Sequence, residues 1–340
     1  EKEQPDNNQI KAVRKAIGNT NIFLIQGPPG TGKTTVIAEI INQLVLSGKR
    51  ILVTGQNHVA VDNVLAKISK NPSLNLLRVG KEDKIDKDLS NHHIDNLVSE
   101  YQETFSHFLR NQVLLINFYI QLVSEGKSSE EILPAYNKKV NECVNEYGNI
   151  REVLKQRHFL LRDGISSLEK SELKDTVVAF ENWINSINNE IDLLIQPLIY
   201  SSVDVVFATC IGIKTDPVFR ETGLRFDTVI IDEAGKANIA ETLVAIELGK
   251  EVILVGDQMQ LPPYMDSALI DPNDPKSFPK SEYGYGFLPE EITHALKTSF
   301  FEFLIKKIQH NQFPKENLEM LNYQHRMHPN IGKFVSESFY

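Results

Sequence analysis

The chain has 340 residues, of which 41% are hydrophobic and 24% charged; these ordinary values exclude wholesale disorder and leave room for more than one domain. A net charge of −9 offers no global electrostatic case for nucleic acid, although an acidic protein can still grip a strand with a local groove of amides and hydroxyls. The two cysteines, Cys143 and Cys210, form neither a disulfide framework nor a metal spacing. No apolar stretch approaches the ~20 residues needed to cross a bilayer, and the first eight residues are polar rather than signal-like. A cytoplasmic protein with no membrane contact is therefore expected.

Near the N-terminus, Gln9 precedes a short amphipathic helix pattern (Ile10, Val13, Ala16, Ile17). Its amide can donate and accept at once, which suits an adenine edge. An apolar run over residues 22–25 predicts a buried strand. It breaks into Gly27-Pro28-Pro29-Gly30-Thr31-Gly32-Lys33-Thr34, followed by Thr35 and a helix pattern (Val36, Ile37, Ile40, Ile41, Leu44). This satisfies G-x-x-x-x-G-K-[ST] in its strand-to-helix setting. Glycines let backbone N–H groups turn inward around a phosphate, and the helix N-terminus adds partial positive charge. Lys33 can reach the β- and γ-phosphates, and the Thr34 hydroxyl can take a place on Mg²⁺. The stretch predicts a site for a nucleoside triphosphate.

Residues 49–54 predict a second strand, residues 57–68 a helix opened by Asn57 and His58, and residues 76–79 a third strand. Such alternation predicts a parallel α/β sheet. It then stops over residues 94–200, where apolar residues fall at helical spacing. One set runs Ile94, Leu97, Val98, Tyr101, Phe105, Phe108, Leu115, Tyr119 and Leu122. A second holds Val140, Cys143, Val144, Tyr147, Ile150 and Leu154, and a third Ile184, Ile187, Ile191, Leu194 and Leu198. Breaks are expected at Gly126–Ser129 and around Gly164. This is the pattern of an all-helical, coiled-coil-like insertion, for which a protein partner is expected.

The sheet resumes at residues 203–209 and again at residues 226–233, where Val229-Ile230-Ile231 lead into Asp232 and Glu233. Ligands collect at the carboxyl ends of parallel strands. There Asp232 can hold Mg²⁺ and Glu233 can act as general base on an attacking water. Another strand, residues 251–255, runs into Gly256-Asp257-Gln258-Met259-Gln260, with Gln260 placed to sense a γ-phosphate. Residues 264–289 read as a loop. A helix (Phe300, Phe303, Leu304, Ile308) and a short run over 318–321 lead to Tyr323-Gln324-His325-Arg326-Met327-His328-Pro329.

Taken together, residues 27–34, Asp232-Glu233-Ala234, residues 256–263 and residues 324–329 resemble motifs I, II, III and IV of superfamily 1 helicases, in the 5′→3′ branch that contains the Upf-type helicases and their bacterial relatives. Residues 51–62, 205–209 and 298–302 resemble the motifs Ia, Ic and IIIa of that branch. The resemblance implies a P-loop NTPase with a RecA-like first lobe (1–90 and 200–310), a helical insertion (91–199) and the start of a second RecA-like lobe (311–340). It implies ATP and Mg²⁺ as cofactors, single-stranded DNA or RNA as partner, and ATP-driven translocation. Gln9 would read adenine, residues 27–35 would hold the phosphates, and Arg326 would act as an arginine finger. Asn57, His58 and Thr209 would contact the strand. The sequence departs from the pattern in three places. Lys236 stands where glutamine is common and is expected to alter nucleotide sensing. His325 replaces a base-stacking tyrosine, and His58 stands where asparagine is usual. Motifs V and VI would follow Tyr340, so weak activity is expected of this stretch alone. A P-loop switch ATPase gating a protein partner, and a nucleotide-binding module without turnover, are the competing expectations.

Overall fold

The computed structural model describes residues 6–19, 21–145, 170–189, 191–221, 223–264 and 297–340. The expected loop at 264–289 therefore lies almost wholly outside the described residues, as does the break around Gly164. Two compact units emerge, one formed by Glu1–Ile94 with Tyr200–Tyr340, the other by Asp95–Ile199.

The first unit is built on seven parallel strands. In chain order these are β1 (Ile22–Gln26), β2 (Ile51–Gly55), β3 (Leu76–Arg78), β4 (Val205–Thr209), β5 (Phe226–Asp232), β6 (Gly249–Gly256) and β7 (Leu318–Met320). They lie side by side as β3-β4-β2-β5-β6-β1-β7. Continuous β-branched and aliphatic runs such as Ile51-Leu52-Val53 and Val229-Ile230-Ile231 are buried throughout, as strands covered on both faces require. One face packs Phe23, Ile25, Val53, Phe207 and Val255 under α1 (Asn7–Gly18), α2 (Lys33–Leu46) and α3 (His58–Ile68).

Register decides what meets at the carboxyl edge. Gln26 of β1 pairs with Gly256 of β6, and Ile231 of β5 pairs with Leu254 of β6. The phosphate-loop glycines, the Asp232-Glu233 pair and Asp257 thus emerge in one row, with β6 between the other two strands.

Strand β7 falls inside the range expected for a second lobe, yet it completes this same sheet by pairing Leu24 with Leu318 and Gln26 with Met320. The sheet therefore runs past the boundary drawn at 311. Glu319, 8% exposed, accepts from Lys11 (2.8 Å) and Lys15 (2.9 Å) of α1 and so ties the short strand to the first helix.

The second unit contains α4 (Ile94–Ser124, shared at its first residue with the first unit), α5 (Ser129–Asn145), α6 (Lys170–Asn189) and most of α7 (Ile191–Ser202). The break between α4 and α5 falls at Gly126, whose φ of +71° suits glycine. Leu115, Ile116, Tyr136 and Val177 form its described core, with Tyr119 edge-on to Tyr136 at 6.0 Å between centroids. Tyr101, expected on the apolar stripe, is exposed. Side chains of the expected set from Cys143 to Leu154 lie outside the described ones. After α7 the first unit resumes with α8 (Cys210–Thr215), α9 (Pro217–Glu221), α10 (Ile239–Ile246), α11 (Phe300–Gln309) and α12 (Pro329–Phe339). Among the described residues no helix is long and apolar enough to cross a membrane.

Candidate nucleotide and nucleic-acid site

The loop from Gly27 to Gly32 joins β1 to α2 and is shaped by backbone only glycine tolerates well. Gly30 and Gly32 have φ of +80° and +82°. A Cβ on Gly27 would lie 2.5 Å from Lys33 Cγ, so the lysine stem occupies the space that a side chain would fill. Gly32 is the N-cap of α2 and supplies no side-chain acceptor; Thr35 and Val36 N–H donate to its backbone oxygen, which leaves the Lys33 and Thr34 N–H groups for an anion. Lys33 Nζ donates to Gly27 O at 2.7 Å, and Thr31 Oγ1 donates to Pro28 O at 2.8 Å. Pro28, Pro29, Lys33 and Thr34 are partly exposed at the loop and Thr35 is open to solvent. This cradle, with its free donors and a lysine held across it, fits a triphosphate.

The carboxylates sit beside it. Asp232 is 4% exposed. Burial, and then the charge of Glu233, push its carboxyl up to about 7, against the pull of the Glu233 N–H (2.8 Å), Lys33 and Lys236. A buried carboxylate so disfavoured as an anion is a ready oxygen ligand for a cation, and Thr34 supplies a hydroxyl from the neighbouring loop; this donor set fits Mg²⁺. Glu233 takes a left-handed backbone, φ +52°, sparsely populated for a residue with a side chain. Lys236 Nζ pairs with its Oε2 at 3.1 Å, and Lys236 N–H donates to its backbone oxygen at 2.9 Å. The residue expected to alter nucleotide sensing thus grips the expected base. Behind them the backbones nearly touch, since a Cβ on Gly235 would come 2.5 Å from Asp257 O.

Gln9 lies within α1, where Asp6 is the N-cap in a capping box with it. Its Nε2 donates to Thr31 O at 3.0 Å and its Oε1 accepts from Asp6 N–H at 3.4 Å. In this structure its amide therefore holds the phosphate loop. Gln260 donates to Asp257 Oδ2 at 2.9 Å, and Tyr340 OH donates to the same oxygen.

His325 and Arg326 dock directly on the phosphate loop. His325 N–H donates to Gly30 O at 2.8 Å, and a Cβ on Gly30 would lie 2.7 Å from Arg326 Cβ. Gln324 shapes the turn by accepting from Arg326 N–H (3.1 Å) and Met327 N–H (2.6 Å). Among the described residues the Arg326 guanidinium makes no hydrogen bond or ion pair. His325 Nε2 lies 3.4 Å from Asp6 Oδ2. Beside it, Asp6, Asn7, Asn8, Asn322 and Tyr323 line an open cavity of about 520 Å³.

The three expected strand contacts have local work as well. Asn57 caps α3 through Ala60 N–H (2.9 Å) yet stays exposed, whereas Thr209 is buried and caps α8 through Gly212 N–H (3.0 Å). His58 Nδ1 lies 3.1 Å from Arg78 Nη2. Asp6, Asp257, Tyr323 and the Asp62–Arg78 pair join the site without a role foreseen from their sequence positions. Only Asp6 left a recognisable signal, an Asp three residues before a Gln at a helix start.

A parallel sheet with a glycine-rich phosphate loop after β1 and an acidic pair at the end of β5 defines a P-loop NTPase of RecA-like fold. Among known families, the AAA domain family AAA_11 matches residues 4–268. The chain belongs to that family. It is 28% identical to the uncharacterized ATP-dependent helicase MJ0104 of Methanocaldococcus jannaschii, over 98% of this chain and 44% of that protein. It is 28% identical to helicase sen1 of Schizosaccharomyces pombe (98% and 19%) and 26% identical to the DNA-binding protein SMUBP-2 of Mesocricetus auratus (98% and 27%). The chain thus spans less than half the length of each of these relatives.

Proposed function

We propose that this chain is the ATP-hydrolysing part of a superfamily 1 helicase or translocase acting on single-stranded DNA or RNA, with 5′→3′ movement. The observation that carries the proposal is the convergence at one sheet edge of the phosphate loop, the Asp232-Glu233 pair and Arg326. The likeness to proteins named as helicases supports the same reading. On this reading, residues 200–310 join residues 1–90 as the first lobe. Residues 91–199 are an insertion that binds a protein partner, and the second lobe starts within 311–340, past the strand β7 that joins the first lobe's sheet.

Lys33 would leave Gly27 O for the β- and γ-phosphate oxygens, a charge-assisted exchange that favours the anion. Thr34 and Asp232 would hold Mg²⁺, which when bound would neutralise charge on the transferring phosphoryl group. Glu233, oriented by Lys236, would orient the attacking water and take its proton. Arg326, with its guanidinium unengaged, would stabilise the charge developing on the phosphoryl oxygens. Gln9 and His325 would flank the base.

The test is Mg²⁺-ATP hydrolysis with and without single-stranded DNA and RNA homopolymers, with Lys33→Ala as reference. Turnover stimulated by a strand, and lost in Lys33→Ala by a factor of about 10² or more, is the expected outcome. Turnover indifferent to both polymers would replace the motor with a switch ATPase.

A further inference from the structure

The departure at His58 has a physical counterpart in the fold. His58 and Asp62 stand four residues apart on one face of α3, and Arg78 ends β3 beneath them. Arg78 is fully buried, and each side of its guanidinium is engaged. Nε donates to Asp62 Oδ1 at 2.6 Å, Nη1 to Val79 O at 2.7 Å, and Nη2 faces His58 Nδ1 at 3.1 Å. Asp62 is itself fixed by Asp86 N–H on its other oxygen, at 3.3 Å. A Cβ on Gly80 would lie 3.6 Å from His58 Cε1, so the imidazole also rests beside that backbone.

A guanidinium has only donors and keeps its charge at any ordinary pH. The nitrogen that faces it must therefore offer a lone pair. A neutral imidazole has one lone pair and one N–H, so the proton is on Nε2. Protonating the ring would place an N–H against an N–H beside a positive charge. Burial first, then Arg78, accordingly lower the His58 pKa below 6.5; Lys84 acts in the same direction, and Asp62 and Asp83 oppose it. His58 Nε2 makes no hydrogen bond among the described residues, and the ring is partly exposed.

We infer that Arg78, held by Asp62, positions His58 as its Nε2–H tautomer and makes it a neutral hydrogen-bond donor to a phosphate oxygen of the bound strand. The inference rests on the strand-binding function proposed above. Phosphate is the acceptor because backbone oxygens take most contacts in recognition that does not depend on sequence. A neutral donor adds little to the salt dependence of binding, unlike a lysine or arginine. It serves a surface that must release the strand as readily as it holds it.

The experiment uses the full chain labelled with ¹⁵N-histidine, with His58→Gln identifying the His58 ring signals. At neutral pH the expected spectrum shows Nδ1 as an unprotonated acceptor and Nε2 as protonated, without averaging. Averaged ring nitrogens, or a protonated Nδ1, would overturn the positioning role whatever the strand does. Affinity for a fluorescent oligothymidylate is then measured by anisotropy. His58→Leu should weaken it about ten-fold, the size of one hydrogen bond to a charged acceptor, while His58→Gln, which keeps a donor, restores most of it. Arg78→Met should lose the fixed tautomer and the same share of affinity; if it does not fold, Asp62→Asn reports on the same linkage. A fixed Nε2–H tautomer with unchanged affinity in His58→Leu would overturn the donor role alone. A wild-type chain that binds no strand would sink the function proposed for it while leaving the tautomer measurement standing.

Discussion

Replacing Asp232 with asparagine should stabilise the nucleotide-free protein, and the gain should depend on pH. Asp232 is 4% exposed, and its carboxyl is pushed from 3.8 up to about 7 by burial and by Glu233. Because the folded-state value lies above the unfolded one, the contribution to stability is intact below pH 3.8 and is lost as pH rises through 7. At 1.36 kcal/mol per tenfold, the gap amounts to about 4 kcal/mol by pH 8, an upper bound for a site that can relax or admit water. Asparagine keeps the acceptor for the Glu233 N–H and removes the charge. Asp232→Asn should therefore melt higher than wild type at pH 8, with the advantage shrinking toward zero as pH approaches 4. Even half the bound would raise the melting temperature by about 3 °C. Thermal melts in EDTA without nucleotide, at pH 8, 6.5 and 5, measure it. Adding Mg²⁺ at pH 8 should then stabilise wild type more than the variant. An advantage as large at pH 5 as at pH 8, or none at pH 8, would refute the reasoning.

Two further outcomes can be measured on the same preparations. Gly235→Ala would force a Cβ to within 2.5 Å of Asp257 O, which is backbone and cannot swing aside, so the tips of β5 and β6 must separate. A loss of about 1–3 kcal/mol in denaturant unfolding is expected, together with a lower kcat for ATP hydrolysis. His58 and His92 both have pKa values lowered below 6.5, chiefly by burial, so the unfolded chain takes up protons more readily than the fold. Their contribution to stability is lost as pH falls below 6.5, opposite in sign to that of Asp232, and His58→Gln should show less of that acid loss than wild type in melts between pH 5 and 7.

The nucleotide site was legible because its signals are local. The phosphate loop needs glycines, a lysine and a threonine at fixed offsets between a strand and a helix, and all of these are consecutive in sequence. The acidic pair announces itself by following Val229-Ile230-Ile231. Strand β7 was not legible, because Leu318-Glu319-Met320 is only three residues long and holds no β-branched residue. It is a strand because β1 offers an unpaired edge and because Lys11 and Lys15 hold Glu319. The Asp62–Arg78 pair was hidden for a related reason. Sixteen residues separate its members, and an arginine at the end of an apolar strand reads as a solvated terminus until the fold buries it.

What the sequence could not convey is that three of the residues expected to meet ATP are already satisfied, although Arg326 is not. Lys33 is held by Gly27 O, Gln260 by Asp257, and both ends of Gln9 by Thr31 and Asp6. On the proposed function, nucleotide binding is then an exchange of partners rather than a gain of new ones. The Gln9 exchange is neutral and that of Gln260 trades one anionic acceptor for another, so each contributes little net free energy. The Lys33 exchange differs, since a carbonyl gives way to an anion. Affinity should accordingly reside in the Lys33 ammonium and the Lys33 and Thr34 N–H groups that open α2. The Gln9 and Gln260 exchanges instead release the phosphate loop and Asp257 from their present bonds. Asp257 also accepts from Tyr340, and Gly30 accepts from His325, so the loops freed by those exchanges are the ones in contact with the segment that follows β7. This is how a small ligand at one sheet edge can bias the placement of the chain that docks there.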